Sequence, residues 1–294
     1  MFSGSIPALV TPFEADGSFA EAAFRDLIEW QIAEGSSALV ACGTTGEAAT
    51  LPKDEHFAVV RICVDQARGR VPVIAGAGSN DTRVAQENLA AAHAAGADAA
   101  LMVPPYYNRP SQDGIAQHFA ALAASSPLPI LLYNVPGRTV TDILPATVAR
   151  IVEASRDVFV GIKDASGAIA RISDHRAALG ADWCQLSGND DLALAFNAMG
   201  GVGCISVSAN VAPRLCADFQ TACAAGDYAI ARALHDRLFP LHSAVFTDAS
   251  PGPVKYALSR VRPDMPCGLR LPMTWPSEAS QHAVDAALAR LEQA

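Results

Sequence analysis

The residue with the clearest chemical potential in this sequence is Lys163, which ends the apolar run Phe159 to Ile162. The chain has only two other lysines, Lys53 and Lys255. A primary amine attacks a carbonyl carbon only when it is neutral, and a free lysine with a pKa of about 10.4 is almost fully protonated near neutral pH. Burial can bring a lysine pKa down to about 7 to 8. More often, a lysine at a strand end lays its stem on the core and its ammonium in water. The surrounding residues therefore decide its role.

Polar and aromatic side chains also follow other apolar runs. Tyr133 lies one repeat before Lys163, and neighbouring parallel strands lie about 5 Å apart. A phenol there could relay protons, or simply pack its ring and donate one hydrogen bond. Arg138 offers a planar guanidinium that suits a carboxylate, with a surface ion pair as its ordinary alternative. The other polar run ends are Gly43 to Glu47, Pro104 to Asn108 and Ser187 to Asp190.

The segment Gly43 to Gly46 predicts a turn between two elements. Its two glycines would admit unusual backbone angles while the hydroxyls and amides of Thr44 and Thr45 face an anion. A turn of this composition also commonly serves only as a connection. Its chemistry therefore depends on what the neighbouring run ends supply.

Eight short apolar runs alternate with alanine-rich helical stretches in units of roughly 20 to 35 residues. Eight strand-helix units predict an α/β protein with a (β/α)8 TIM barrel, whose active site lies at the carboxyl ends of the strands. A doubly wound open sheet is the alternative, but no Gly-x-Gly-x-x-Gly follows the first run. The predicted strands are Ser5 to Val10, Ala38 to Cys42, Val71 to Ala75, Asp98 to Val103, Ile130 to Tyr133, Phe159 to Lys163, Cys184 to Ser187 and Gly203 to Val207.

Helical patterns continue beyond the eighth run. They exceed what closure of a barrel requires. The sequence therefore predicts a barrel with a catalytic rim over residues 1–224 and a C-terminal helical appendage over residues 225–294. The late helical patterns are Pro213 to Ala224, Asp227 to Phe246, Val254 to Val261 and Ser277 to Leu291.

Composition and charge disfavour several classes of function. The 294 residues are 51% hydrophobic and carry a formal charge of -9 without a basic run, which predicts a compact protein that binds no nucleic acid. The seven histidines are scattered and no Gly-x-Ser-x-Gly occurs, so a metal-dependent aldolase and a serine hydrolase are disfavoured, and no metal or cofactor is expected. Seven cysteines without a Cys-x-x-Cys pair, and no signal or membrane-spanning window, predict a cytoplasmic protein with reduced thiols.

Several of these segments, in this order, resemble the dihydrodipicolinate synthase and N-acetylneuraminate lyase superfamily. The resemblance covers almost the whole chain and favours the synthase branch. It implies a lyase that forms a Schiff base with pyruvate and condenses it with L-aspartate 4-semialdehyde, giving 4-hydroxy-tetrahydrodipicolinate in the diaminopimelate route to lysine. The segments are Phe2 to Pro12, Gly43 to Glu47, Pro104 to Pro110, Tyr133 to Thr139, Gly161 to Asp164 and Arg270 to Thr274.

The resemblance also assigns roles to individual residues. Lys163 is expected to form the imine, and Arg138 to receive the carboxylate of the semialdehyde. Tyr107 is expected to reach the site from a partner subunit, which implies a homo-oligomer, with a tetramer built as a dimer of dimers. The remaining expected site residues are Thr44 and Tyr133 in the proton relay, Thr45 at the pyruvate carboxylate, and Gly188 and Ile205, which line the site through backbone groups.

The sequence departs from this pattern mainly where L-lysine inhibits related enzymes. Val84 cannot accept a hydrogen bond from an ammonium group, and Lys53 would repel one. Weak or absent inhibition by L-lysine is therefore expected. Ala48, Lys53 and Val84 replace polar or acidic groups of that site, whereas Ala49, His56, Asn80 and Tyr106 match it.

Two other functions stay open on the sequence alone. A different pyruvate-dependent aldolase could act on a sugar acid or an oxo-acid. Arg138 argues against it, because sugar-acid lyases of this superfamily generally lack an arginine there. A catalytically silent metabolite-binding barrel is the second alternative. It has no need for the lysine and phenol that Lys163 and Tyr133 supply.

Overall fold

A computed structural model describes residues 2–293 and contains one sheet of eight parallel strands. Each of the eight predicted runs forms a strand, and the structure shortens or shifts most of them by one to three residues. The α/β barrel prediction is confirmed. The strands are β1 (Gly4–Pro7), β2 (Leu39–Ala41), β3 (Val73–Gly76), β4 (Ala99–Met102), β5 (Ile130–Asn134), β6 (Phe159–Asp164), β7 (Cys184–Ser187) and β8 (Gly203–Ser206).

Helices connect the strands and surround the sheet. Three of them begin at capping side chains: Asp81 accepts from the backbone N–H of Arg83, Ser111 from that of Gly114, and Asp227 from that of Ile230. The helices are α1 (Glu21–Ala33), α2 (Lys53–Ala67), α3 (Thr82–Ala94), α4 (Gln112–Ser125), α5 (Pro136–Thr139), α6 (Pro145–Ala154), α7 (Arg171–Leu179), α8 (Ala193–Ala198), α9 (Pro213–Ala224), α10 (Tyr228–Ala244), α11 (Gly252–Val261) and α12 (Glu278–Gln293).

The sheet closes between β1 and its two neighbours. β1 pairs with β8 along its whole length, and an isolated parallel bridge joins Ala8, directly after β1, to Val40 of β2. Asn210 reinforces this seam: its side-chain oxygen accepts from the backbone N–H of Val10, and its amide donates to the carbonyl oxygens of Ala8 and Val207. A buried asparagine with all these partners fixes the last strand to the first.

Side chains alternate between the inside of the barrel and the layer under the helices, as the period of two in a strand requires. On β5, Leu131 and Tyr133 belong to the inner cluster, while Ile130 and Leu132 belong to the outer core. Gly161 occupies a tight inner position, because an added Cβ would lie 2.6 Å from the carbonyl oxygen of Cys184. The same alternation places Lys163 on the inner face of β6.

The C-terminal helices pack on the barrel instead of extending away from it. α10 packs against α9 and α12, and α11 packs against α12. The fully buried Lys255 of α11 bonds to Glu47, directly after the loop that follows β2. The division of the chain into a barrel over 1–224 and a helical region over 225–294 stays a prediction. Within residues 2–293, no helix is both long and apolar enough to cross a membrane.

Candidate active site

Lys163 and Tyr133 are direct neighbours at the carboxyl ends of β5 and β6. The two residues are paired in the register of the parallel strands. The Nζ atom of Lys163 lies 4.3 Å from the centre of the Tyr133 ring, and Lys163 is only 6% exposed. The sequence-based expectation that the phenol lies beside the amine is therefore confirmed as geometry. A lysine at a strand end ordinarily extends its ammonium into water. The amine of Lys163 does not.

Gly188 comes directly after β7, and Ile205 lies on β8. A Cβ added at Gly188 would lie 3.1 Å from Cε of Lys163 and 2.7 Å from Cβ of Ala165. Only a glycine leaves room for the lysine stem at this position. Ile205 is fully buried in the inner cluster that also contains Tyr133. Both residues are thus close to the inner rim.

The turn after β2 places Thr44 and Thr45 differently. Thr44 is exposed and lines a cleft of about 600 Å³, whereas Thr45 is buried. The expectation that the two glycines supply unusual backbone angles is wrong. The left-handed residues are Cys42 at φ 55° and Glu47 at φ 56°, which flank the turn. Gly46 is needed for space instead, because an added Cβ would lie 2.9 Å from the carbonyl oxygen of Leu9.

Arg138 lines the same cleft as Thr44 and Tyr133. It lies on the four-residue helix α5, which begins immediately after β5, and its side chain is exposed. The loop after it is anchored to the β4 loop, because Thr141 Oγ1 donates to the carbonyl oxygen of Pro105 at 2.8 Å. An exposed guanidinium on an anchored loop can receive the carboxylate of an incoming substrate.

An ion pair supports the loop that carries Arg138. Asp142 accepts two hydrogen bonds from the guanidinium of Arg171, at 2.6 and 2.7 Å, and a third from the amide of Asn134 at 2.9 Å. The bonds from Arg171 are the main reason that the pKa of Asp142 lies below its ordinary value. Asn134 also accepts from the backbone N–H of Ile143. Asn134 at the end of β5 and Arg171 at the start of α7 therefore hold this loop at Asp142 and Ile143.

Tyr107 stands apart from the other predicted site residues. It is 89% exposed, has a left-handed φ of 72°, and does not contribute to the lining of the cleft. An almost fully exposed tyrosine on a strained loop is unusual on a free surface. Its role at the site stays a prediction.

Six of the seven residues expected at a lysine-binding site line the same cleft, and Asn80 does not. Lys53 is paired with Glu87 at 2.6 Å, and Val84 exposes its apolar side chain. His56 Nε2 lies 2.8 Å from the carbonyl oxygen of Gly76, and burial lowers the pKa of this histidine. The ion-paired ammonium of Lys53 and the apolar side chain of Val84 offer an ammonium group no acceptor, and weak inhibition by L-lysine stays a prediction.

The buried pairing of Lys255 was not predicted from the sequence. This lysine is fully buried, and its Nζ atom lies 2.5 Å from a carboxylate oxygen of the equally buried Glu47 and 4.4 Å from the centre of the Phe13 ring. The signal available in the sequence was a lysine within the apolar helical stretch Val254 to Leu258. Its partner is 208 residues away along the chain, which no local pattern reveals.

The cysteines are poor competitors for the role of nucleophile. All seven are free and buried. Burial raises the pKa of Cys184 to about 12 and that of Cys267 to about 11, so these thiols stay protonated at neutral pH. Within residues 2–293 there is also no group of three or more histidine, cysteine or acidic side chains that could hold a metal ion. The geometry favours the amine of Lys163.

Comparison with known proteins agrees with this arrangement. A model of the dihydrodipicolinate synthetase family matches residues 1–291. The chain belongs to this family. A relative from Rhizorhabdus wittichii, named 4-hydroxy-tetrahydrodipicolinate synthase, is 68% identical over 98% of each chain. A relative of the same name from Zymomonas mobilis is 61% identical, also over 98% of each chain.

Solved structures of the family share the whole fold. The chloride-inhibited dihydrodipicolinate synthase of Acinetobacter baumannii, complexed with pyruvate, is 40% identical, with a TM-score of 0.94 over 99% of each chain. The dihydrodipicolinate synthase of Aquifex aeolicus is 37% identical, with a TM-score of 0.95 over 99% of this chain and 98% of that one. The family therefore has this barrel together with its C-terminal helices.

Proposed function

We propose that this chain condenses pyruvate with L-aspartate 4-semialdehyde to give 4-hydroxy-tetrahydrodipicolinate, as a Schiff-base-forming lyase of lysine biosynthesis. The observation that carries the proposal is the buried amine of Lys163, 4.3 Å from the ring of Tyr133 at the inner rim. The names of relatives at 61–68% identity support the reaction. The pyruvate complex of the Acinetobacter baumannii enzyme supports the first substrate.

The first half of the reaction activates pyruvate. The neutral amine of Lys163 attacks the carbonyl carbon of pyruvate, and loss of water leaves an imine. Removal of a proton from the methyl carbon then gives an enamine. Tyr133, whose ring centre lies 4.3 Å from the nitrogen, serves as the proton relay together with Thr44 and Tyr107. Thr45 holds the pyruvate carboxylate through its hydroxyl and backbone amide.

The second half joins the two substrates. The enamine carbon attacks the aldehyde carbon of the semialdehyde, and the new oxygen takes up a proton. The amino group of the semialdehyde then adds to the imine carbon, and the bond to Lys163 breaks, which closes the ring and restores the free amine. Arg138 holds the semialdehyde carboxylate during both steps. Gly188 and Ile205 shape the wall next to the imine.

The assembly we propose is a homo-oligomer in which each site receives Tyr107 from a partner subunit. Its 89% exposure in the single chain supports this arrangement. A tetramer built as a dimer of dimers is the expected form. Sedimentation velocity at several protein concentrations measures the assembly state. A species that remains a monomer at all concentrations, yet retains full activity, would exclude the shared site.

The direct test of the function is an assay coupled to dihydrodipicolinate reductase, with purified protein, pyruvate and L-aspartate 4-semialdehyde. We expect NADPH oxidation that depends on both substrates. Lys163→Ala is expected to abolish it while leaving the circular dichroism spectrum unchanged. No turnover by a folded protein, with an active coupling enzyme, would contradict the proposal.

Arg138 distinguishes the aldehyde substrate. Arg138→Leu removes the charge and the paired N–H donors of the guanidinium. Loss of a charge-assisted pair costs about 1.5–3 kcal/mol, so we expect KM for the semialdehyde to rise by roughly 10- to 100-fold. KM for pyruvate should stay close to the parental value. Arg138→Lys retains the charge and should recover part of the loss. Equal effects on both substrates would contradict this role.

A further inference from the structure

The buried pair of Lys255 and Glu47 joins the C-terminal helices to the turn that carries Thr44 and Thr45. Nζ of Lys255 donates to Oε1 of Glu47 at 2.5 Å and to the carbonyl oxygen of Gly268 at 2.6 Å. The other carboxylate oxygen of Glu47 accepts from the backbone N–H of Arg270 at 3.1 Å. Two segments of the C-terminal region thus hold one carboxylate from two sides.

Glu47 also bonds to the turn of residues 43–47, which carries Thr44 and Thr45. Its backbone N–H donates to the carbonyl oxygen of Thr44 at 3.1 Å, and its φ of 56° is left-handed. On the barrel side, Thr11 Oγ1 donates to the carbonyl oxygen of Gly46 at 2.7 Å. Hydrogen bonds therefore hold the turn at Gly46, from the loop after β1, and at Glu47, from the C-terminal region. The residues between Thr44 and Glu47 have little freedom to move.

Stability alone does not account for a charged pair in this position. Taking two charges out of water carries a large desolvation cost, and well-packed apolar residues of similar volume are often neutral or more stable. The cost is visible at Lys255, because burial lowers its pKa while the neighbouring Glu47 opposes that effect. We infer that the pair fixes the orientation of the Glu47 backbone, because its carboxylate is hydrogen-bonded on both sides.

We propose that Lys255 and Glu47 are positioning residues for the condensation. By holding the carboxylate of Glu47, Lys255 fixes the turn so that Thr44 faces the cleft and Thr45 meets the pyruvate carboxylate. Lys255 touches no substrate in this account, because it is fully buried and does not line the cleft. The inference rests on the proposed function, since it concerns the residues assigned there to pyruvate and to the proton relay.

The test is the double variant Glu47→Gln with Lys255→Met, which removes both charges with little change in volume. The side-chain amide oxygen introduced by Glu47→Gln can still accept from the backbone N–H of Arg270. We expect a folded protein in which KM for pyruvate rises and kcat falls, so that kcat/KM drops by roughly 10- to 100-fold. Borohydride trapping at saturating pyruvate should still label Lys163, because the amine itself is untouched.

A matched control separates positioning from a general loss of charge. The pair of Arg70 and Glu29 lies on the surface, away from the cleft, and is also held by two hydrogen bonds, at 2.6 and 2.7 Å. Arg70→Met with Glu29→Gln should leave kcat and KM within about two-fold of the parent. Activity of the parental protein in the same assay tests the proposed function. The ratio of kcat/KM between variant and parent tests the positioning role.

The kinetics of the folded double variant decide between positioning and packing. A folded double variant with parental kcat and parental KM for pyruvate would overturn the inference. The single variant Glu47→Gln, which changes almost no volume but leaves the buried ammonium of Lys255 without its counter-ion, is measured in parallel and should show the same changes in KM and kcat with at least the same magnitude. If the double variant does not fold, parental kinetics of Glu47→Gln would overturn the inference instead.

Discussion

Removal of the Tyr133 hydroxyl is the substitution that most cleanly separates chemistry from packing. The Tyr133 ring lies 4.3 Å from Nζ of Lys163 and is buried in the inner cluster. Tyr133→Phe retains this ring and its attraction for an ammonium group, which contributes about 0.5–2 kcal/mol. No cavity forms, because only one oxygen is lost. The free energy of unfolding should therefore change by less than about 1 kcal/mol.

The catalytic effect should be much larger than the structural one. General acid-base catalysis typically contributes about 10²- to 10⁴-fold, which corresponds to roughly 2.7–5.5 kcal/mol of transition-state stabilisation. We expect kcat of Tyr133→Phe to fall within that range while KM for pyruvate changes little. The coupled NADPH assay measures kcat, and chemical denaturation measures stability. Tyr228→Phe, on the outer helix α10, is the matched control and should behave like the parent.

The result that would refute this reasoning is specific. A Tyr133→Phe variant with kcat within about three-fold of the parent would remove the phenol from the proton relay. The position of the ring beside the amine would then be explained by packing alone. A large loss of stability together with a loss of kcat would instead show that the hydroxyl holds the rim together.

Three other parts of the molecule lead to further predictions. L-Lysine at millimolar concentration should leave most of the activity, because Lys53 and Val84 offer an ammonium group no acceptor, and titration in the coupled assay measures this. Gly188→Ala should lower kcat by roughly 10-fold or more, since its new Cβ would lie 3.1 Å from Cε of Lys163 and displace the amine. Burial lowers the pKa of His118 from 6.5 to about 4, so the unfolded chain binds a proton in that window that the folded chain does not. The free energy of unfolding then falls as the pH drops from 6.5 to about 4. In denaturation experiments, His118→Gln should reduce this pH dependence of the free energy by up to roughly 1.4 kcal/mol per pH unit.

Each of these predictions has its own contradicting result. Micromolar inhibition by L-lysine would show that the cleft still holds the ligand. For the glycine, Gly137→Ala is the control, because an added Cβ there meets nothing within 4 Å. Equal kinetics of Gly188→Ala and Gly137→Ala would show that the residues around Gly188 accommodate the new Cβ without displacing Lys163. For the histidine, the exposed His93 provides the control. An unchanged pH slope in His118→Gln would contradict the buried neutral state.

Local sequence patterns were sufficient to predict the strands and the pairing at the rim. Period-two alternation and strand ends place Tyr133 and Lys163 side by side, because the register of adjacent parallel strands follows from the repeat. The start of α3 at Thr82 is likewise a local feature, because Asp81 directly before it is a typical N-cap residue. These features depend on residues close together along the chain.

Features that depend on distant parts of the chain could not be predicted in the same way. The pair of Glu47 and Lys255 joins residues 208 positions apart. A turn with two glycines suggested left-handed glycines, but the tight approach of Gly46 to the β1 loop moves that conformation to Cys42 and Glu47. Only the closed barrel shows which residue needs space and which needs an unusual backbone angle.

The most direct test of the central claim is borohydride reduction of the protein in the presence of pyruvate, followed by peptide mapping. The account predicts one N-carboxyethyl group per chain, located on Lys163. Lys53 and Lys255 are internal controls, because the first is exposed and ion-paired and the second is fully buried beside Glu47. Modification of Lys255 instead of Lys163, or no pyruvate-dependent adduct on a folded protein, would contradict the account.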